Sequence, residues 1–353
     1  MALQLPDMTP VLAWYRENAR DLPWRHTRDP YRIWVSEIML QQTRVEAVIP
    51  YYHRFLSRLP DVKSLAECPE DELMKLWEGL GYYSRVRNMQ KAAKTVMSQH
   101  GARFPQNFED IRALCGIGDY TAGAVASFAF DLPYPAVDGN VLRVAARLLA
   151  FEEDVLAPAS KRLLTAAVWE AQPRDRATEY NQAMIELGAT VCLPNGLPKC
   201  ECCPLRAECL AHREGKETVL PIRKKAAPRK VIRKTVLILR CGDRVALRQR
   251  PATGLLAGLY EPFSVENALT AEEVGALVLE TGAGLLHIGE LGAAKHIFTH
   301  LEWHMQGFEV ILDEKSAETG IKKLDQTLFF APREEIDASY AVPSAYSAYR
   351  PFM

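Results

Sequence analysis

The sequence predicts a multidomain protein, an all-α half followed by an α+β half. Three observations predict it. Up to about Leu210, apolar residues recur at three- and four-residue spacing, as in Val35, Ile38 and Met39 and again in Val45, Val48 and Ile49, which is the period of an amphipathic helix. Beyond Lys234 they fall instead into short β-branched and aromatic runs broken by glycine, which is strand texture. The total of 353 residues is more than one ordinary core organises.

In the first half, Pro30, Pro60, Pro69, Gly101, Pro105 and Pro133 punctuate the helical pattern and leave segments of helical length. The texture changes at RKKAAPRKVIRK, residues 223–234, which holds seven basic residues and no acid. Such a run reads as an exposed linker, either DNA-facing or merely solvated. We therefore expect a first domain over 1–222, a basic linker over 223–233 with the boundary near Lys225, and a second domain over 234–353. In the second domain, TVLILR, RVALRQR, HIGELG, HIFTHLEWHMQGFEVIL and TLFFAP are the strand-like runs, and Ala271 to Leu279 is a helical stretch among them. There is no internal repeat.

Composition narrows the function classes. With 48% hydrophobic and 25% charged residues, the chain has the make-up of a globular protein and not of a disordered or fibrous one. The net charge of −1 does not advertise a polyanion partner, but a local basic face is what phosphates feel. The N-terminus MALQLPDMTPVLAWYREN has neither the basic nor the apolar region of a signal peptide. The longest apolar stretch, near Ala122 to Phe130, is about half of what crosses a bilayer. The expectation is a cytoplasmic protein in a reducing compartment, with no membrane association.

Eight cysteines in such a compartment are not expected to pair as disulfides. Cys68, Cys115 and Cys241 are scattered, whereas five cluster over 192–209, with spacing Cys192-x7-Cys200-x2-Cys203-x5-Cys209 and Cys202 left over. Four thiolates this close can hold one tetrahedral zinc ion or one cubane iron–sulfur cluster. Elsewhere, Gly116 and Gly118 flank Ile117 ahead of the helical pattern TAGAVASFAF. Two glycines there allow a tight hairpin whose free N–H groups, helped by the helix dipole, suit a phosphate. Asp138 precedes Gly139 and an amphipathic run, which suits a helix N-cap. Glu37 sits among Ile33, Trp34, Val35, Ile38 and Met39, where an acid is costly if buried without a role. His296, His300 and His304 recur at four-residue spacing, but the segment alternates like a strand, which argues against a metal face.

These motifs together resemble the endonuclease III, or helix–hairpin–helix, superfamily of DNA glycosylases, and within it the adenine glycosylases. The cysteine run is similar to the family's C-x6-C-x2-C-x5-C loop with one extra residue in the Pro/Gly stretch LPNGLPK. The resemblance implies a 4Fe–4S cluster on Cys192, Cys200, Cys203 and Cys209, with Cys203-Pro204 matching the family's CP dipeptide. LCGIG resembles the family hairpin LPGVG, VDGNV the surroundings of its catalytic aspartate, and WVSEIMLQQT its W-x-S-E-x-M-L-Q-Q-T signature. Where strand-cutting relatives carry a lysine that forms a Schiff base, this chain has Tyr120. The resemblance therefore implies a monofunctional glycosylase of base excision repair.

By the same resemblance, Glu37 protonates adenine N7, Asp138 stabilises the sugar cation, and Tyr120 and Asn140 orient them. Arg25, Leu40 and Gln182 surround the flipped adenine. Gln41, Gln42, Tyr82, Gly116 and Gly118 contact DNA. RPATGLLAGLYEPFSVE resembles the family's Nudix-like C-terminal domain, and AEEVGALVLE lacks the Arg–Glu pair of a hydrolysing Nudix box. Phe298, Thr299 and His300 match the loop that checks for 8-oxoguanine. The implied partner is double-stranded DNA carrying A:8-oxoG or A:G mispairs, bound by a monomer associated with the bacterial nucleoid.

Overall fold

The structure is a computed structural model describing residues 3–224 and 228–353. Lys225, where the boundary is expected, lies outside the described residues. Two compact units emerge, one from residues 1–67 and 87–226 and the other from 68–86 and 227–353.

Among the described residues the first unit is helical. The helix Pro30–Met39 starts with proline at its first position and with Asp29 accepting the Tyr31 N–H, the expected chemistry of a helix start. The helices Phe108–Ala113 and Asp119–Phe130 flank the glycine hairpin. Gly116 has φ +79°, and a Cβ there would sit 2.7 Å from the Cβ of Asn88, so both conformation and space require glycine. The helix Gly139–Leu148 follows, then Pro158–Glu170 and Ala177–Thr190. Val144, Ala145, Leu164, Tyr180, Ala183 and Leu187 are buried together with Val11 and Leu12 in one core.

The second unit is built on a mixed six-stranded sheet: β1 (Lys230–Cys241), β2 (Arg244–Gln249), β3 (Tyr260–Val265), β4 (Leu285–Ile297), β5 (Leu301–Leu312) and β6 (Phe329–Pro332). The order across the sheet is β4-β5-β1-β3-β2-β6, with β1 and β5 parallel and the remaining pairs antiparallel. The helix Ala271–Leu279 occupies the expected span and opens with a full capping box between Thr270 and Glu273. One core on the sheet contains Leu237, Leu239, Phe308 and Val310 with Val274 and Ile321; another contains Val236, Ile238, Trp303 and Met305 with Tyr346 and Tyr349.

Three features differ from a plain reading of the sequence. The run HIFTHLEWHMQGFEVIL is a hairpin, β4 turning through residues 298–300 into β5. β1 starts at Lys230, four residues inside the stretch expected as linker, because Lys230 to Arg233 pair in register with Leu301 to His304. Residues 68–86, which precede the basic run by well over a hundred positions, group with the sheet. They are tied there by Lys75 Nζ donating to the Tyr340 carbonyl at 3.1 Å and by the Val342 N–H donating to Glu78 at 3.0 Å. Such pairings across 260 or so positions leave no local signature.

Candidate active site and cysteine loop

Glu37 lies on the buried face of Pro30–Met39 and is 5% exposed. Tyr120, in the first turn of the helix after the glycine hairpin, donates its hydroxyl to Glu37 Oε2 at 2.6 Å. Burial pushes the Glu37 carboxyl up to about 7; the Tyr120 hydrogen bond opposes this, the charge of Asp138 adds to it, and Arg25 opposes it. A carboxyl poised there holds a proton at neutral pH and can give it up, which is what a general acid needs.

Asp138 is the N-cap of Gly139–Leu148, with Oδ1 accepting from the N–H groups of Asn140 and Val141, both at 2.8 Å. Its other oxygen accepts from Asn140 Nδ2 at 2.7 Å. Burial pushes the Asp138 carboxyl up from its usual value, while the Val141 and Asn140 hydrogen bonds and the charge of Arg143 oppose this. With three donors aimed at it, the Asp138 carboxylate is better solvated by the protein than that of Glu37, which accepts from Tyr120. Glu37 is therefore the carboxyl suited to hold a proton, and Asp138 the one suited to remain an anion.

Glu37 and Tyr120 open into one cleft with Arg25, Leu40 and Gln182, so the structure brings together five residues that the sequence only suggests as a set. The cleft also includes Trp24, Ile33, Phe128 and Ile185, an apolar surround for a flat ring. Sequence reasoning missed its support. Glu186, fully buried, accepts from Arg20 Nε at 2.8 Å and Arg25 Nη2 at 2.7 Å. Burial alone would raise Glu186, but these arginines outweigh it and bring the carboxyl down to about 2. Arg25 lies over the Tyr15 ring, and Tyr15 in turn donates to Gln182 Oε1 at 2.7 Å. The available signal was Gln182 and Glu186 four apart on one helix, hence on one face.

The residues expected at DNA are placed individually. Gln41 Nε2 reaches Thr121 Oγ1 at 3.5 Å. Gln42 has φ +59°, a left-handed conformation that costs a non-glycine residue and concentrates at functional sites. In the second unit Tyr82 has φ +47° and is 49% exposed. Its hydroxyl lies 3.4 Å from Thr299 Oγ1, so the expected wedge and the expected lesion-checking loop meet. Phe298 anchors that loop against His296 and Trp303, with ring centroids at 4.6 and 4.8 Å, leaving Thr299 and His300 exposed. His296 and His304 lie on opposite faces of the sheet, because His296 is opposite Trp303 and His304 is opposite Lys295.

Cys192, Cys200, Cys203 and Cys209 line a common cavity with Arg147, His212 and Glu217, whereas Cys202 is exposed and does not line it. Arg147 Nη1 donates to Cys192 Sγ at 3.2 Å. Burial pushes the Cys203 thiol up to about 11, so a thiolate there calls for a metal partner. A second donor set, Cys200, His212 and Glu217, has its ligand atoms within 4.8 Å of one another.

Residues 35–171 match the family described as the HhH-GPD superfamily of base excision DNA repair proteins, and residues 235–349 match the NUDIX domain. The chain is 34% identical to the adenine DNA glycosylase of Buchnera aphidicola subsp. Baizongia pistaciae, covering 87% of this chain and 86% of that one. This chain belongs to the adenine DNA glycosylases. It is also 34% identical to the Mus musculus adenine DNA glycosylase, covering 88% of this chain and 71% of the mouse protein. Among solved structures, a thermostable thymine-DNA glycosylase matches with a TM-score of 0.54 and 29% identity, over 59% of this chain and 95% of that one. An endonuclease III trapped as a covalent intermediate with DNA matches at 0.51 and 22% identity, over 59% and 95%, and bears on the fold alone. The adenine DNA glycosylase assignment thus joins a helix–hairpin–helix glycosylase half to a Nudix-like half. No helix among the described residues is long and apolar enough to cross a membrane.

Proposed function

We propose that this enzyme is a monofunctional glycosylase that hydrolyses adenine from DNA where it is paired with 8-oxoguanine or guanine. The observation that carries this reading is the pair of carboxylates with divergent environments, Glu37 held by burial at about 7 and Asp138 held by three hydrogen-bond donors. The mispaired adenine is flipped out of the stack into the cleft lined by Arg25, Leu40 and Gln182. Glu37 gives its proton to N7, so that the C–N bond pair leaves with a neutral base. The sugar is left as an oxocarbenium-like cation, and the Asp138 carboxylate stabilises it until water adds. Tyr120, bonded to Glu37 Oε2, orients the acid, and Asn140 holds Asp138. A tyrosine phenol cannot form the imine of a strand-cutting lyase. Gly116 and Gly118 offer backbone N–H groups to a phosphate, and Gln41 and Gln42 face the groove. Tyr82 wedges the duplex, and Phe298, Thr299 and His300 read the base opposite adenine.

The domains at work are the helical unit and the sheet unit, the latter with its first strand from Lys230 and with residues 68–86, and the enzyme acts as a cytoplasmic, nucleoid-associated monomer. The test is release of free adenine from duplexes carrying it opposite 8-oxoguanine, guanine or thymine. Release from the first two and not from the third is expected; equal release from all three would remove the mispair reading.

The four cysteines that share a cavity fit a 4Fe–4S cluster, since they supply four sulfur donors with a guanidinium alongside. Such a cluster, when bound, ties the loop shut and orders the surface around it. Cys203→Ser should lose the visible absorbance and the iron and sulfide of the purified protein, whereas Cys202→Ser should keep them. Zinc in place of iron and sulfide in the wild type would overturn the cluster reading.

A further inference from the structure

We propose that the exposed, hairpin-side end of the β4–β5–β1 sheet face is a phosphodiester-binding surface, one that holds the DNA backbone beside the reading hairpin. The inference rests on the DNA-directed function above and extends it to residues that function leaves unassigned. In the register of the sheet, Arg233, His304 and Lys295 stand directly opposite one another on three adjacent strands. One step inward, the same row is Thr235, Gln306 and Ala293. Because residues two apart share a face, these two rows form one surface. Its outer end is open, while Thr235 is buried under the 267–269 segment: Lys295 and His304 side chains are 51% and 45% exposed, and Arg233, Lys295, His304 and Gln306 line a shallow groove with the small residues Ala268 and Ala293.

Arg233 and Lys295 stand on either side of His304, two strands and so about 10 Å apart. The local compensation is incomplete. Glu302 alone meets Lys295 at 2.6 Å, His304 at 3.3 Å and Arg229 at 3.8 Å. Among the described residues the Arg233 guanidinium has no hydrogen-bond or ion-pair partner. In a chain of net charge −1, an exposed arginine left unpaired near Lys295 at the open end of a sheet face suits an external anion.

Position selects the anion. The row lies about four residues from the hairpin tip at Phe298 to His300, roughly 13 Å along the strands. That separation is a few phosphate spacings on DNA, within reach of the backbone beside the base the tip reads. Arginine and lysine at that offset fix register and carry no sequence information.

The test compares full-length wild type with Arg233→Ala/Lys295→Ala and with Lys322→Ala/Lys323→Ala, which removes two exposed cations from another part of the same unit. Affinity is measured for a mispaired and a fully paired duplex across a salt series. Losing two phosphate contacts should lower the salt slope by about two for both duplexes. Over a fourfold rise in salt, the wild type should then lose about tenfold more affinity than the variant. The control pair should match the wild type. Gln replacements at 233 and 295, which keep the apolar stems, should behave like the Ala pair, so that a loss of folding is distinguishable from a loss of contact. An unchanged slope overturns the proposal. So does a loss of affinity confined to a free nucleoside triphosphate, which would make the groove a nucleotide site. If the wild type binds neither duplex, the DNA-directed reading itself fails, and this inference falls with it.

Discussion

Glu37→Gln is expected to slow adenine release by about a thousandfold, the range in which a positioned general acid acts, while duplex binding survives. Gln keeps the shape and one oxygen for the Tyr120 hydroxyl but has no proton to give to N7. The same property sets the pH dependence of the wild type. The carboxyl is held at about 7 by burial, so single-turnover release should be level below that pH and fall about tenfold per unit above it. Stability should move the opposite way for the variant. A folded-state value of about 7 against an ordinary 4.5 means that the native state of the wild type is fully supported below 4.5. It loses that support as pH rises toward 7, because the unfolded chain can ionise Glu37 and the folded one resists it. Gln never ionises. The variant should therefore match the wild type in acid and exceed it above pH 7, by on the order of 3 kcal/mol at most. Urea midpoints on both sides of this window measure it. A variant that is less stable at alkaline pH would contradict the burial account.

Asp138→Asn is expected to remove at least about a thousandfold of the rate, because a full charge facing the sugar cation is worth more than one neutral hydrogen bond to it. The change separates catalysis from folding. Asp138 caps the helix Gly139–Leu148 through the Asn140 and Val141 N–H groups, and Asn caps a helix about as well as Asp. Affinity for the mispaired duplex should therefore change little, and stability should fall by about 1–2 kcal/mol at most, because the new amide nitrogen faces Asn140 Nδ2. Excision at near wild-type rate would show that the carboxylate does no more than cap.

The parts of this architecture written in local chemistry were legible in the sequence. The helical stretch Ala271–Leu279, the two glycines around Ile117 and the aspartate before Gly139 each report their own backbone geometry, and the structure contains each. An acid in an apolar helix, Glu37, was visible as an anomaly, although its partner Tyr120, 83 positions away, entered through family resemblance. What was not legible is long-range. The Arg20–Glu186–Arg25 cluster joins residues more than 160 apart, and on sequence each member looks like an ordinary surface charge. The attachment of residues 68–86 to the sheet unit depends on backbone carbonyls and N–H groups of the C-terminal segment, which carry no side-chain code. The start of β1 was misplaced for a related reason. Lys230 and Arg233 read as linker by composition, and only their pairing with β5 makes them strand.

The central claim is that Tyr120 and Glu37 make a glycosylase without lyase activity. It is tested most directly on a duplex holding one adenine opposite 8-oxoguanine, with strand breaks measured before and after alkali. A break that arises only after alkali, together with free adenine, is the predicted result. A break without alkali would require an imine-forming amine in the site and would contradict the account.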